Sequence, residues 1–273
     1  MSGINENLIL VRGGGDLATG TIYKLRQCGF DVLVLETENP SAIRRNVAFS
    51  EAVYQGSQTV EGMTCLLANS VAQARACLKK GTLTMLIDPA GDCVEAFRPL
   101  AVVDAILAKK NLGTRRNMAP ITVALGPGFT AGVDVDAVVE TKRGHNLGKV
   151  CYSGSAAPNT GVPGIIGGYG KERVIHSPAA GILRNVAKIT DTVTQGQTIA
   201  FVETADGQVP VLASLTGLLR GLIRDGYPVT KGFKIADIDP RTEEYNNCFT
   251  ISDKARCIAG GVLEAILHLK GNL

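Results

Sequence analysis

The chain has 273 residues, 45% of them apolar, and a formal net charge of +3. Lys and Arg never run beyond two in a row, which excludes a nucleic-acid backbone as the main partner, and no apolar stretch approaches the roughly 20 residues a membrane span needs. Seven cysteines scattered without a CxxC pair exclude a disulfide framework and a zinc site, so no metal is expected and the thiols read as reduced.

The opening MSGINEN carries an acid and no base ahead of its short apolar run, so it does not read as a signal peptide, and a cytoplasmic location is expected. A strand over 8–12 leads into three glycines and a helix over 17–28, with Gly29 at the cap position. A second strand spans 32–36. A looser stretch, PSAIRRNVAFSEAVYQG, follows it. Residues 64–68 read as a strand. Asn69 or Ser70 caps a helix ending at Lys79-Lys80-Gly81. Residues 84–88 are strand, 100–110 helix and 121–125 strand. This alternation predicts a parallel, Rossmann-like α/β sheet.

The glycines fit a dinucleotide fingerprint, G-x-G-x-x-A, at Gly13, Gly15 and Ala18, with Gly14 and Asp16 inside the turn. Glu36 ends the second strand 23 residues after Gly13 (36 − 13), where an acid accepts hydrogen bonds from a ribose. The first glycine permits the turn, the second admits the pyrophosphate, and the small third residue lets helix and strand pack. Phosphate then sits on the helix N-terminus. The residues assigned to cofactor binding are therefore Gly13, Gly14, Gly15, Asp16, Ala18 and Glu36, with NAD(P) or another nucleotide as ligand. Against this, Asp16 disfavours a crowded anion site, and a Rossmann-like fold with an empty pocket fits the same pattern. Arg44 and Arg45 are placed to meet a 2′-phosphate or to form a solvated helix face.

Residues 122–170 are dense in glycine. Within them Arg143 could grip an anion and His145 could move a proton near neutral pH, so both stand as catalytic candidates beside the alternative of a solvated connector. Cys151 has no visible base, and Cys248 reads as a packed thiol.

Residues 178–202 and 214–238 align without gaps at a shift of 36 (217 − 181), with Gly181/Gly217, Arg184/Arg220, Gly196/Gly232 and Ile199/Ile235 among the identical pairs. Neither half can bury a core alone. The pattern resembles the biotinyl/lipoyl-type barrel-sandwich domain. In carrier members of that family a lysine stands between the halves. The matching segment here, Val202-Glu203-Thr204-Ala205-Asp206-Gly207, has none, so a scaffold or docking role is implied. Gly260-Gly261 lies inside a predicted C-terminal helix, capped by Ser252 or Asp253, and close packing or a bound group would explain it. The expected architecture is a Rossmann-like domain over 1–172, a lysine-free β barrel-sandwich hybrid domain over 173–241 and a C-terminal helical tail over 242–273.

As a whole, GGGDLATG, IRRNVAFSEAVYQG, GPGF, ETKRGHNLGK, PNTGVPG, the repeat and DPR…SDKAR…GGVLEA resemble the YqeB family, accessory proteins of selenium-dependent molybdenum hydroxylases. The resemblance implies a cytoplasmic maturation role, with such a hydroxylase or its cofactor machinery as partner and self-association open. It supplies no catalytic residues. Three readings stand: a nucleotide-binding maturation factor, an independent NAD(P)-linked oxidoreductase, and a docking scaffold with a vestigial Rossmann fold.

Overall fold

The computed structural model describes residues 4–161 and 164–273; part of the PNTGVPG segment lies outside the described residues. The chain forms two compact units, both discontinuous in sequence. Unit 1 comprises Met1–Pro40, Ala48–Thr160 and Ile251–Leu273, and unit 2 comprises Ser41–Val47 and Gly161–Thr250.

Unit 1 is built on one sheet of nine strands. In chain order its elements are β1 (Asn5–Arg12), α1 (Asp16–Gln27), β2 (Asp31–Glu36), α2 (Ala52–Gln55), β3 (Ser57–Val60), β4 (Met63–Ala68), α3 (Val71–Lys79), β5 (Thr84–Ile87), α4 (Val94–Phe97), β6 (Pro99–Asp104), β7 (Ile121–Leu125), β8 (Thr130–Ala131), β9 (Ala137–Val139), β10 (Val150–Cys151) and β11 (Gly154–Ser155). The strand order is β10-β9-β7-β6-β1-β2-β5-β4-β3, and β8 pairs with β11 apart from it. The seven inner strands run parallel, and β3 and β10 close the edges antiparallel. Residues 8–12 of β1 and all of β6 are buried, which is the signature of strands covered on both faces. Gly29, at φ +89°, stands just past the last turn of α1.

The expected parallel Rossmann-like sheet is corrected. The sheet is mixed, and β5 lies between β2 and β4, whereas the classic dinucleotide order sets the third strand beside the second. The crossovers are also short of helix. Residues 100–110 are not a helix: they form most of β6 and the start of an irregular loop. Leu-Ala-Val-Val is a short apolar run whose periodicity suits either state, and burial on both faces settles it as strand. The last helix, α5 (Asp253–Lys270), returns to unit 1 and packs on α1. A Cβ on Gly20 would lie 2.8 Å from that of Ala255, and one on Gly261 would lie 2.2 Å from the Gly148 carbonyl oxygen. Close packing therefore accounts for Gly261. Gly260 meets nothing within 4 Å, and nothing in the structure explains it. No described helix is long and apolar enough to cross a membrane.

Unit 2 contains β12 (Val174–His176), β13 (Gly181–Asn185), β14 (Thr192–Val193), β15 (Thr198–Thr204), β16 (Gly207–Leu212), β17 (Gly217–Leu222), β18 (Pro228–Val229) and β19 (Lys234–Asp239). The repeat is realised strand for strand, β13 to β17, β14 to β18 and β15 to β19, each displaced by 36 residues (217 − 181, 228 − 192, 234 − 198). The halves exchange strands: β14 of the first pairs with β17 of the second, and β18 of the second pairs with β13 of the first. The result is two four-stranded antiparallel sheets, β12-β19-β17-β14 and β16-β15-β13-β18. This corrects the barrel-sandwich expectation. Strands outside the repeat, β12 and β16, widen each sheet, and among the described residues no ladder joins the two into a barrel. Leu183, Val202, Leu219, Ile238 and Cys248 belong to the apolar core of the unit. Cys248 is the packed thiol the sequence suggested, and its burial raises its pKa.

Candidate functional site

The carboxyl ends of β2, β1 and β6 bring the glycine turn, Glu36, Arg12 and Asp104 to one edge of unit 1. Register places Arg12 beside Leu35 on one side and Asp104 on the other. Each glycine of the turn has a different reason to be there. Gly13 sits at φ +96°, and a Cβ would press within 2.9 Å of the Ala105 carbonyl oxygen. Gly14 has Met85 Cε and the Ser50 backbone nitrogen at 2.9 and 3.1 Å from its Cβ position. Gly15 has an extended backbone, φ −63° and ψ 179°, and no atom within 4 Å of a built Cβ.

Gly15 is also the N-cap of α1, where it makes no side-chain capping bond. The other two helices longer than one turn differ: Ser70 caps α3 and Ser252 caps α5, each hydroxyl accepting a backbone N–H at 3.2 Å. Serine is the better cap residue, and its backbone preference matches that of Gly15. Asp16 opens the helix, and Ala18 is fully buried.

Glu36 accepts the Gly14 N–H at 2.8 Å and the Thr37 N–H at 2.7 Å. Burial raises its pKa, opposed by those two N–H groups. The Gly14 amide that a pyrophosphate would use is thus already bound by the protein's own carboxylate. Behind the turn, the Ser50 N–H donates to the Gly14 carbonyl at 2.8 Å, while the Ser50 hydroxyl is buried without a partner.

Two further charged residues here escaped the sequence reading. Arg12 and Asp104 are 1% and 2% exposed. The Arg12 guanidinium donates to the Thr114 hydroxyl and to the Pro89 and Leu112 carbonyls, the latter two at 2.8 and 3.2 Å. Thr114 in turn donates to Asp104 at 2.5 Å. Burial raises the Asp104 pKa, opposed by Thr114, the Ile106 N–H and Arg12. Arg12 Nε is buried without a partner. A signal was present: each of these charges ends an apolar run, residues 8–11 before Arg12 and 99–103 before Asp104.

Arg143 and His145 are elsewhere in unit 1, after β9. Arg143 forms a bidentate pair with Asp253 in the first turn of α5, at 2.7 and 3.1 Å, and Asp253 raises its pKa. His145 is exposed. Arg44 and Arg45 belong to unit 2 and donate to the carbonyls of Asn247, Thr250 and Leu222. Among the described residues no three His, Cys, Asp or Glu side chains gather as metal ligands.

No family model matches the chain. Among solved structures it is similar to the ectoine utilization protein EutE (DoeB) from Ruegeria pomeroyi, at 10% identity over 87% of this chain and 86% of that one, TM-score 0.27. It is also similar to a succinylglutamate desuccinylase/aspartoacylase from Rhodobacter sphaeroides, at 11% identity over 87% and 86%, TM-score 0.27. At those TM-scores neither likeness carries an argument. The expectation of a nucleotide-binding maturation factor for a molybdenum hydroxylase, with its oxidoreductase and vestigial-Rossmann alternatives, is corrected on the sheet order and the occupied glycine turn. The curated relative supplies no such role: over 265 residues, 97% of this chain, the sequence is 53% identical to the uncharacterised protein YqeB of Escherichia coli (strain K12), and the match covers 48% of that protein. The chain is thus similar in sequence to YqeB, and it spans about half the length of the curated relative it matches.

Proposed function

We propose that unit 1 binds a small polar ligand over Gly15. The observation that carries this reading is the missing cap. Neither backbone strain nor packing requires glycine at 15, and α3 and α5 use serine in the same place. A side chain absent where one would stabilise leaves room for a group from outside. The carboxyl edge of parallel strands is also where α/β sheets commonly take ligands.

The local charge selects the ligand. Asp16 opens α1, and Glu36 at the end of β2 reaches the same turn by accepting the Gly14 N–H, so that amide is taken. An anion would meet two carboxylates. A polyol or a small amine would instead donate hydrogen bonds to Glu36. The test is a ligand-observed NMR screen of neutral polyols and small amines against the wild type and Gly15→Ser. The variant gains a cap, so it is expected to be more stable by a few tenths of a kcal/mol while losing the ligand. A wild type that binds no member of either class, or a Gly15→Ser variant that binds equally well, refutes the reading.

A further inference from the structure

We infer that residues 105–114 form a strap that opens and closes at the carboxyl edge of unit 1, held shut by a latch of Arg12, Thr114 and Asp104. The segment follows β6 and has no helix or strand of its own. Leu107 and Lys109 are non-glycine residues held in the left-handed region, at φ +61° and +62°, a conformation that persists only where surroundings enforce it. Two glycines on neighbouring loops make way for the strap. A Cβ on Gly13 would strike the Ala105 carbonyl, and one on Gly128 would lie 2.7 Å from the Lys110 backbone.

The far end is fastened by one polar cluster. Asn111 folds the chain back by accepting the Gly113 and Thr114 N–H groups, both at 2.8 Å, and by donating to the Thr114 carbonyl. This turn presents the Thr114 hydroxyl to Asp104 and Arg12. Thr114 is 1% exposed, whereas Leu112, two residues away, is 45% exposed. Between the buried Ala105, where the strap leaves β6, and the buried Thr114, residues 106–113 are half-buried or exposed, so Thr114 is the buried anchor of the far end. The latch itself is incomplete, because Arg12 Nε has no partner while the strap is shut. A buried donor left unpaired raises the free energy of the closed form, and opening would hydrate it. The strap borders the turn assigned to ligand binding above, but its motion is measurable with no ligand present, so the two readings fail separately.

The experiment is limited trypsin digestion at Lys109-Lys110, with hydrogen exchange followed by mass spectrometry, on wild type, Thr114→Val and Thr114→Ser. Valine keeps the shape and removes both hydrogen bonds, and serine keeps the hydroxyl. Expected are strap exchange in the wild type faster than in β1 and β6, cleavage at least tenfold faster in Thr114→Val, and near wild-type cleavage in Thr114→Ser, with β1 and β6 equally protected in all three. Cleavage of Thr114→Val within twofold of wild type overturns the proposal. So does a wild-type strap that exchanges only as slowly as β1 and β6, or a Thr114→Val variant whose β1 and β6 lose protection together with the strap, since either makes the segment part of the core.

Discussion

The two halves of the unit 2 repeat share a backbone plan and differ in what they do with charge. In the first half Arg184 pairs with Glu203 at 2.8 Å, with both side chains at least 40% exposed. Adding 36 gives Arg220 and Asp239 in the second half. There Arg220 is 16% exposed and Asp239 fully buried. The position equivalent to Phe201 has become Asp237, which takes Arg220 at 2.8 Å and Arg173 at 3.0 Å. Arg241 holds Asp239 at 2.8 and 2.9 Å. One copy thus keeps an ordinary surface pair while the other has grown a buried ladder. Duplicated backbone geometry leaves side-chain chemistry free to diverge wherever the new charges can be paired on burial.

The sharpest way to break the comparison is to delete the arginine from each half. Arg220→Ala leaves two buried carboxylates short of a partner and is expected to cost about 3 kcal/mol. Arg184→Ala removes an exposed pair and is expected to cost less than about 1 kcal/mol. Urea denaturation of the two variants checks this, and equal costs would erase the distinction. The backbone offers the opposite expectation. A Cβ at Gly181 would lie 2.1 Å from the Glu203 carbonyl oxygen, and one at Gly217 would lie 2.4 Å from that of Asp239. Alanine at either site is therefore expected to cost a similar amount, about 1–3 kcal/mol, and strongly unequal values would show that the halves differ in backbone as well as in charge.

The smallest effect expected is in acid. Burial alone would raise the Asp239 pKa, but Arg241 and Arg220 outweigh it and hold the group below its ordinary value. A depressed carboxyl contributes stability above the unfolded-state pKa, about 3.9 for Asp, and loses it as pH falls through the folded-state value. Glu36 and Asp104 of unit 1 are shifted upward, so their contribution runs the other way: it is full below the unfolded carboxyl range and lost as pH rises through the folded values. Acidification towards pH 4 should therefore favour unit 1, and further acidification should weaken the second half of unit 2. Denaturation resolved by proteolysis along a pH series would show whether the two units move in opposite directions.

Legibility in the sequence followed the range of the interactions. The strands over 8–12, 32–36 and 121–125, the cap at Ser70 and the 36-residue register are set by near neighbours, and the structure has each of them. Failures came where a short apolar run fits two states, as at 100–110, or where order depends on distant pairing, as in the insertion of β5 beside β2. The site divides the same way. The Gly13 turn and Glu36 meet at the edge where the spacing put them, but the partner of Gly14 is Glu36 itself, which no spacing rule supplies. Arg12, Asp104 and Thr114 come together across about a hundred residues of chain, and Arg143 finds Asp253 at a comparable separation.

The placement of α5 has a consequence for synthesis. Unit 1 is interrupted by residues 161–250 and completed only by Ile251–Leu273, whose helix fills the groove against α1 that Gly20 opens for Ala255. Ninety residues (250 − 160) must leave the ribosome between the second segment of unit 1 and the segment that carries that helix. At about 5–20 residues per second this takes roughly 5–20 s. During that interval the apolar flank of α1 is bare, and unit 2 is the unit that can finish first. The nascent sheet therefore waits in the cell in a form that chaperones can hold and proteases can reach, and the pace of translation across unit 2 sets how long that exposure lasts.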